Sequence, residues 1–157
     1  MQKKTKEYEF ELSEVLALDM AGKAGFYSQK DNGGIWLIDT KTNEFTFLYN
    51  TLKEYIVNNG IKQIVMEDVS VGTFFKAMRK LAEYRGVVKL VNEQLGLYPI
   101  IYVNPSTVKK SFTGDGKASK DKMVRTCQTK YGMTPVDDNH ADAFAIFMYH
   151  QKNPKKR

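Results

Sequence analysis

Two runs, "EVLALDM" and "QIVMEDV", limit the fold before anything else does. Each is apolar at nearly every position, too short for an ordinary helix, and ends in acid: Asp19 in the first, Glu67 then Asp68 in the second. Runs of this length and composition read as enclosed strands. Between them, "AGFYSQ" and "GIWLID" flank "KDNGG", whose Asn32–Gly33 pair is a tight-turn signal, so the two form a hairpin. "EFTFLYNTLKEYIVNNG" spaces apolar residues as a helix does and closes on Gly60. A long helix is predicted from Thr73 to Leu95, its apolar residues near a 3.6-residue period and Gly96 at its stop. Gly86 lies inside it, at about 1 kcal/mol against Ala, which suits close packing.

"YPIIYVN" gives a fifth strand and Pro105 a helix start, "SKDKMVRTCQTKYG" a helix ending at Gly132, and "DNHADAFAIFMYHQK" the last helix. The order βββαβαβαα predicts an α/β fold: a mixed five-stranded sheet, hairpin plus parallel strands, flanked by helices. At 157 residues the chain fits a single domain over 1–157, with 1–12 and 152–157 as basic, flexible ends.

One cysteine, Cys127, excludes an intramolecular disulfide and a cysteine-based zinc site, and suits a reducing cytoplasm. The basic start lacks an apolar signal stretch, and no run reaches the ~20 apolar residues of a membrane span, so no membrane partner is expected. Lys and Arg number 24 against 18 Asp and Glu, a net charge of +6. The excess gathers at the two ends and along "KKSFTGDGKASKDKMVR", as a solvated face does and as a polyanion-binding surface also does. "GDGKAS" fails as a phosphate loop, because Ser111 stands where that pattern needs glycine and Ala118 follows Lys117 where it needs Ser or Thr.

The acids carry the chemistry. Asp19 and Glu67 close strands, and function in α/β sheets gathers beyond the carboxyl ends of parallel strands. Asp138 and Asp142 lie four apart on the last helix and so share a face. If that helix crosses the strand ends, four carboxylates converge. Like charges ~4 Å apart repel by roughly 4 kcal/mol at an effective dielectric of 20, so the cluster must take up protons or cations. Oxygen ligands without thiolates select Mg²⁺ or Mn²⁺. Two such ions are the machinery for in-line phosphodiester hydrolysis.

Each acid also has a plainer reading. Asp19 is a turn former, Glu67 and Asp68 face solvent, and Asp137 and Asp138 are helix first-turn acids. Asp142 resists it, because "AFAIFM" follows at once and a buried unpaired carboxylate is costly. His140, two residues from Asp142, points elsewhere unless the helix begins late, and His150 reads as structural.

The span "AMRKLAEYRGVVKLVNEQLGLYPIIYVNPSTVKKSFTGDGKASKDKMVR", Ala77 to Arg125, resembles the RuvC-type Holliday junction resolvases, nucleases of the ribonuclease H-like fold. It carries their Arg-Gly-Val helix, following strand, Val-Lys pair and "G-x-G-x-A-x-K" segment, and the chain is most similar to the small phage-encoded members. The resemblance implies an endonuclease that cuts four-way and other branched DNA with two Mg²⁺ per site (Mn²⁺ able to substitute), making paired nicks as a homodimer with the Gly86 helix in its interface. It implies Asp19, Glu67 and Asp142 as ligands. The family's fourth ligand, Asp or His, falls at Asn139, so Asp138, Asn139 and His140 stand as alternatives, with Asp138 favoured by its spacing. A second departure is "DMAGKAG", where cellular members have "DPG" and a longer gap to glycine.

By the same resemblance Lys120 contacts the phosphate beside the scissile bond. Lys109, Lys117 and Lys122 contact DNA, and Phe74 or Phe75, whichever faces outward, stacks on junction bases. Two rivals stand beside this reading: a branched-DNA-binding protein with little or no cutting, and a nuclease of RNA–DNA hybrids.

Overall fold

The structure is a computed structural model that describes residues 11–21, 23–68 and 75–154, with only the backbone of Phe75. After a single 3₁₀ turn, Leu12–Glu14, come β1 (Val15–Asp19), β2 (Lys23–Tyr27), β3 (Gly34–Leu37), α1 (Glu44–Asn59), β4 (Gln63–Glu67), α2 (Phe75–Gln94) and β5 (Ile101–Val103). Three helices follow: α3 (Pro105–Thr113), α4 (Lys120–Tyr131) and α5 (Asp138–Lys152). The strands form one five-stranded sheet in the order β3-β2-β1-β4-β5. β1 pairs antiparallel with β2 and parallel with β4, and β4 pairs parallel with β5. The α/β sandwich with a mixed sheet is the expected architecture.

Period-two alternation divides the apolar strands between two cores. Leu16, Leu18, Ile64 and Met66 turn to one face, where α1 and α2 contribute Leu48, Leu52, Ile56, Tyr84, Val88 and Val91. Val15, Ala17, Val65 and Val103 turn to the other, against α3, α4 and α5. No side chain of β1 from Val15 to Leu18 is exposed at all, which explains a run apolar at every position.

Three details differ from the sequence reading. The basic segment after β5 holds two separate helices, as the Pro105 start and the "SKDKMVRTCQTKYG" run each indicate, although the predicted order counts only one. Gly114, at φ 87°, takes the left-handed cap that ends α3, and the Ser119 side chain accepts from the Lys122 N–H at 3.2 Å to start α4. The hairpin connection begins earlier than "KDNGG", running from Ser28 to Gly33, with Asn32 and Gly33 both at positive φ. Gly86 is exposed, and a Cβ built on it meets nothing within 4 Å, so the helix does not pack closely there against the described residues.

Among the described residues no helix is long and apolar enough to cross a membrane.

Candidate active site

β1 and β4 run parallel with Leu18 beside Met66, so Asp19 and Glu67, one step further on, end side by side at the same edge of the sheet. The alternation that buries Ala17 and Val65 beneath α5 turns both acids toward that helix. α5 reaches them because β2 carries a glycine there. Gly25 is the register partner of Asp19, and a Cβ on it would lie 2.0 Å from the Asn139 carbonyl oxygen. Backbone on backbone is as close as a helix and a strand can come, and only glycine allows it.

The first turn of α5 is fixed by two residues. The Asp137 side chain caps the helix, accepting from the His140 N–H at 3.0 Å. His140 is buried, and its ring faces the β2–β3 connection. The Val136 N–H donates to its Nδ1 at 3.0 Å, which leaves Nε2–H to donate to the Asn32 carbonyl at 2.7 Å. His140 is thus a neutral structural strut turned away from the acids. Asn139 lies against Gly25 through its carbonyl, and its side-chain nitrogen reaches Asp137 Oδ2 at 3.5 Å. Asp138 is the one of the three whose charge acts on both Asp19 and Asp142.

Burial first, and then Glu67, Asp142, Asp138 and Asp137, hold the Asp19 carboxyl well above the usual carboxylate range. Burial also raises Glu67, against the opposing pull of Lys109 and Arg85. Asp142 is pushed up to about 7 by burial, Glu67 and Asp138, with Lys109 and Lys120 opposing. The acids therefore form one electrostatic unit. An all-oxygen, mutually repelling set of this kind fits a hard divalent cation, since a cation relieves both the desolvation and the repulsion. Among the described residues no three acidic, histidine or cysteine side chains are set, as they stand, to hold one ion.

Two lysines flank the cluster. Lys120, first residue of α4 and largely exposed, places Nζ 3.4 Å from Asp138 Oδ2. Lys109, half-buried on α3, acts on Glu67 and Asp142, nearer the acids than a peripheral DNA contact would be. Lys117 is exposed in the α3–α4 turn, and Lys122 pairs with Asp115 at 3.7 Å. Phe74 lies outside the described residues, as does the side chain of Phe75. His150 is buried in α5.

Sequence reasoning overlooked two residues. Gly25 carried a signal, a glycine inside an apolar strand. Arg85 stood within the quoted Arg-Gly-Val stretch without a role of its own.

Residues 35–150 match the family model described as Crossover junction endodeoxyribonuclease RuvC. The protein of that name from Anaeromyxobacter sp. (strain Fw109-5) is 37% identical over 99 residues, 63% of this chain and 48% of the relative, so the chain spans about half the length of that relative. The one from Brachyspira hyodysenteriae is 32% identical over 135 residues, 82% of this chain and 81% of the relative. Among solved structures, T. thermophilus RuvC in complex with Holliday junction substrate superimposes with a TM-score of 0.72 at 17% identity, over 91% of this chain and 98% of that one. The yeast mitochondrial Holliday junction resolvase gives 0.58 at 14% identity, over 88% and 77%. With acids brought together from β1, β4 and α5, a fold shared with these nucleases and a family match over most of its length, the chain belongs to the RuvC family.

Proposed function

We propose that this protein is a structure-selective endonuclease that hydrolyses phosphodiester bonds at four-way and other branched DNA junctions. The observation that carries the reading is the acid cluster: part-buried carboxyls from β1, β4 and α5, raised by burial and by one another, with Lys109 and Lys120 at its rim. Asp19, Glu67, Asp138 and Asp142 would hold two Mg²⁺, with Mn²⁺ able to substitute. Bound there, such ions would lower the pKa of a coordinated water and neutralise charge that gathers on the attacking and leaving oxygens.

The chain's own residues do the rest. Lys120 stands free on its outer side, so its ammonium can leave Asp138 for a phosphate oxygen as the backbone arrives. Lys109 keeps positive charge against Glu67 and Asp142, which limits the repulsion between the acids and an incoming phosphate. Lys117 and Lys122 extend the basic rim along the α3–α4 turn and give sequence-independent backbone affinity. An aromatic at Phe74 or Phe75 would stack on bases opened at the branch. Two cuts in fixed relation call for two sites, and a homodimer through the open Gly86 face of α2 would supply them.

A synthetic four-way junction with and without Mg²⁺ tests the proposal, with Asp19→Asn as control. The wild type should nick in a metal-dependent manner. Asp19→Asn should lose cutting yet hold the junction as tightly or more so, because a charge that repels phosphate is gone. Junction binding without cutting by the wild type would favour a binding protein, and faster cutting of an RNA–DNA hybrid would favour the hybrid nuclease. Loss of binding and cutting together in a folded Asp19→Asn would remove Asp19 from the ligand set.

A further inference from the structure

Between the ends of β1 and β4 and the first turns of α2 lies a cavity of about 260 Å³. Asp19 and Glu67 border it, with Met66, Met78, Leu81 and Arg85 among the other lining residues. α2 is held in rotation by Tyr84, which is wholly buried and donates from its hydroxyl to Glu44 Oε2 at 2.8 Å. With Tyr84 fixed, its neighbour Arg85 is directed to the strand ends, where it shares the cavity wall with Asp19 and Glu67, and its charge favours the ionised Glu67 carboxyl from the α2 side as that of Lys109 does from the α3 side.

The Arg85 Nε is buried and, among the described residues, has no hydrogen-bond partner. A buried donor left unpaired detracts from stability, so packing alone does not account for an arginine here; an apolar side chain of similar length would fill the space as well. What the arginine adds is a fixed positive charge behind Glu67. We propose that Arg85 is a positioning residue, holding the Glu67 carboxylate charged side out toward Asp19 and Asp142 so that the acids can share a divalent cation. The inference rests on the reading of the cluster as a metal site.

Mn²⁺ binding in the absence of DNA, by titration calorimetry or by electron paramagnetic resonance, is the test, alongside melting temperature in chelator. Outer partners that orient metal ligands typically govern ~10–100-fold in metal affinity. Arg85→Met should melt in chelator at or above the wild-type temperature yet bind Mn²⁺ at least about tenfold more weakly. Arg85→Lys, which keeps the charge and loses the planar fork, should recover part of that affinity. Wild-type or tighter Mn²⁺ binding by Arg85→Met would overturn the proposal, as would its failure to fold. So would a loss of affinity that merely follows a fall in melting temperature, with Lys no better than Met. Asp19→Asn separates the two levels: if it keeps wild-type Mn²⁺ affinity, the metal-site reading itself fails. If it loses that affinity while Arg85→Met keeps it, only the role of Arg85 is removed.

Discussion

Gly25 decides how closely α5 approaches the acids. An alanine there would set its Cβ 2.0 Å from the Asn139 carbonyl oxygen, 2.3 Å from its carbon and 2.9 Å from the His140 nitrogen. All three are backbone atoms of a capped helix, so the whole first turn must move. Overpacking of this kind costs about 1–3 kcal/mol. A displacement near 1 Å at a reacting centre can cost ~10²-fold in rate. Gly25→Ala should therefore fold with reduced stability in urea and cut junctions at least about tenfold more slowly than the wild type. Unchanged cutting would show that α5 tolerates the shift. His140 makes the same point from the other direction. In the sequence it is one of three adjacent candidates for the fourth ligand; in the fold both its ring nitrogens are occupied by Val136 and Asn32. No local pattern distinguishes a ligand from a strut, because the difference is which way the ring faces.

The elements were largely readable, and the exceptions have local causes. Strands β1 and β4 and helix α5 follow from apolar patterning and acid-rich or glycine boundaries. The starts of α3 and α4 are marked by Pro105 and the "SKDKMVRTCQTKYG" run; the stop that divides them is not legible, because Gly114 serves equally well as part of a loop until its φ of 87° makes it a cap. That division sets the place of Lys120, since the Ser119 cap fixes where α4 begins. Ser119→Ala should lower stability by about 1 kcal/mol in urea unfolding, the usual loss for an N-cap. It should also slow cutting more than it weakens junction binding, because Lys120 would lose its fixed start while the exposed lysines of the turn remain. Equal effects on both would place Lys120 with the general basic surface instead.

For the molecule as a whole, the acid cluster links pH, metal and stability. The Asp142 carboxyl keeps its proton in the folded protein up to about pH 7. In the unfolded chain it loses that proton near 3.9. Between these values the folded state binds more protons than the unfolded, so stability without metal should fall as pH rises from about 4 to about 7. A divalent cation needs the ionised form, so its binding releases protons and strengthens over the same interval. Melting temperatures in chelator should thus decline from about pH 5 to about pH 8, while added Mg²⁺ should raise them most at the upper end. A Mg²⁺ increment independent of pH would argue against Asp142 as a ligand.

The sequence by itself determined the strands, the helices, the mixed sheet and the short set of acids from which a site could be drawn, because period, turn chemistry and caps act over a few neighbouring residues. Tertiary structure decided which of those acids meet. The β1–β4 register turns Asp19 and Glu67 to one face, where a slip of one residue would have turned one of them away. The contact of Gly25 with α5 brings Asp138 rather than His140 to the acids, and the rotation of α2 brings Arg85 to the cavity that Glu67 borders. Such convergence depends on the relative placement of elements distant in sequence, which no local run of residues encodes.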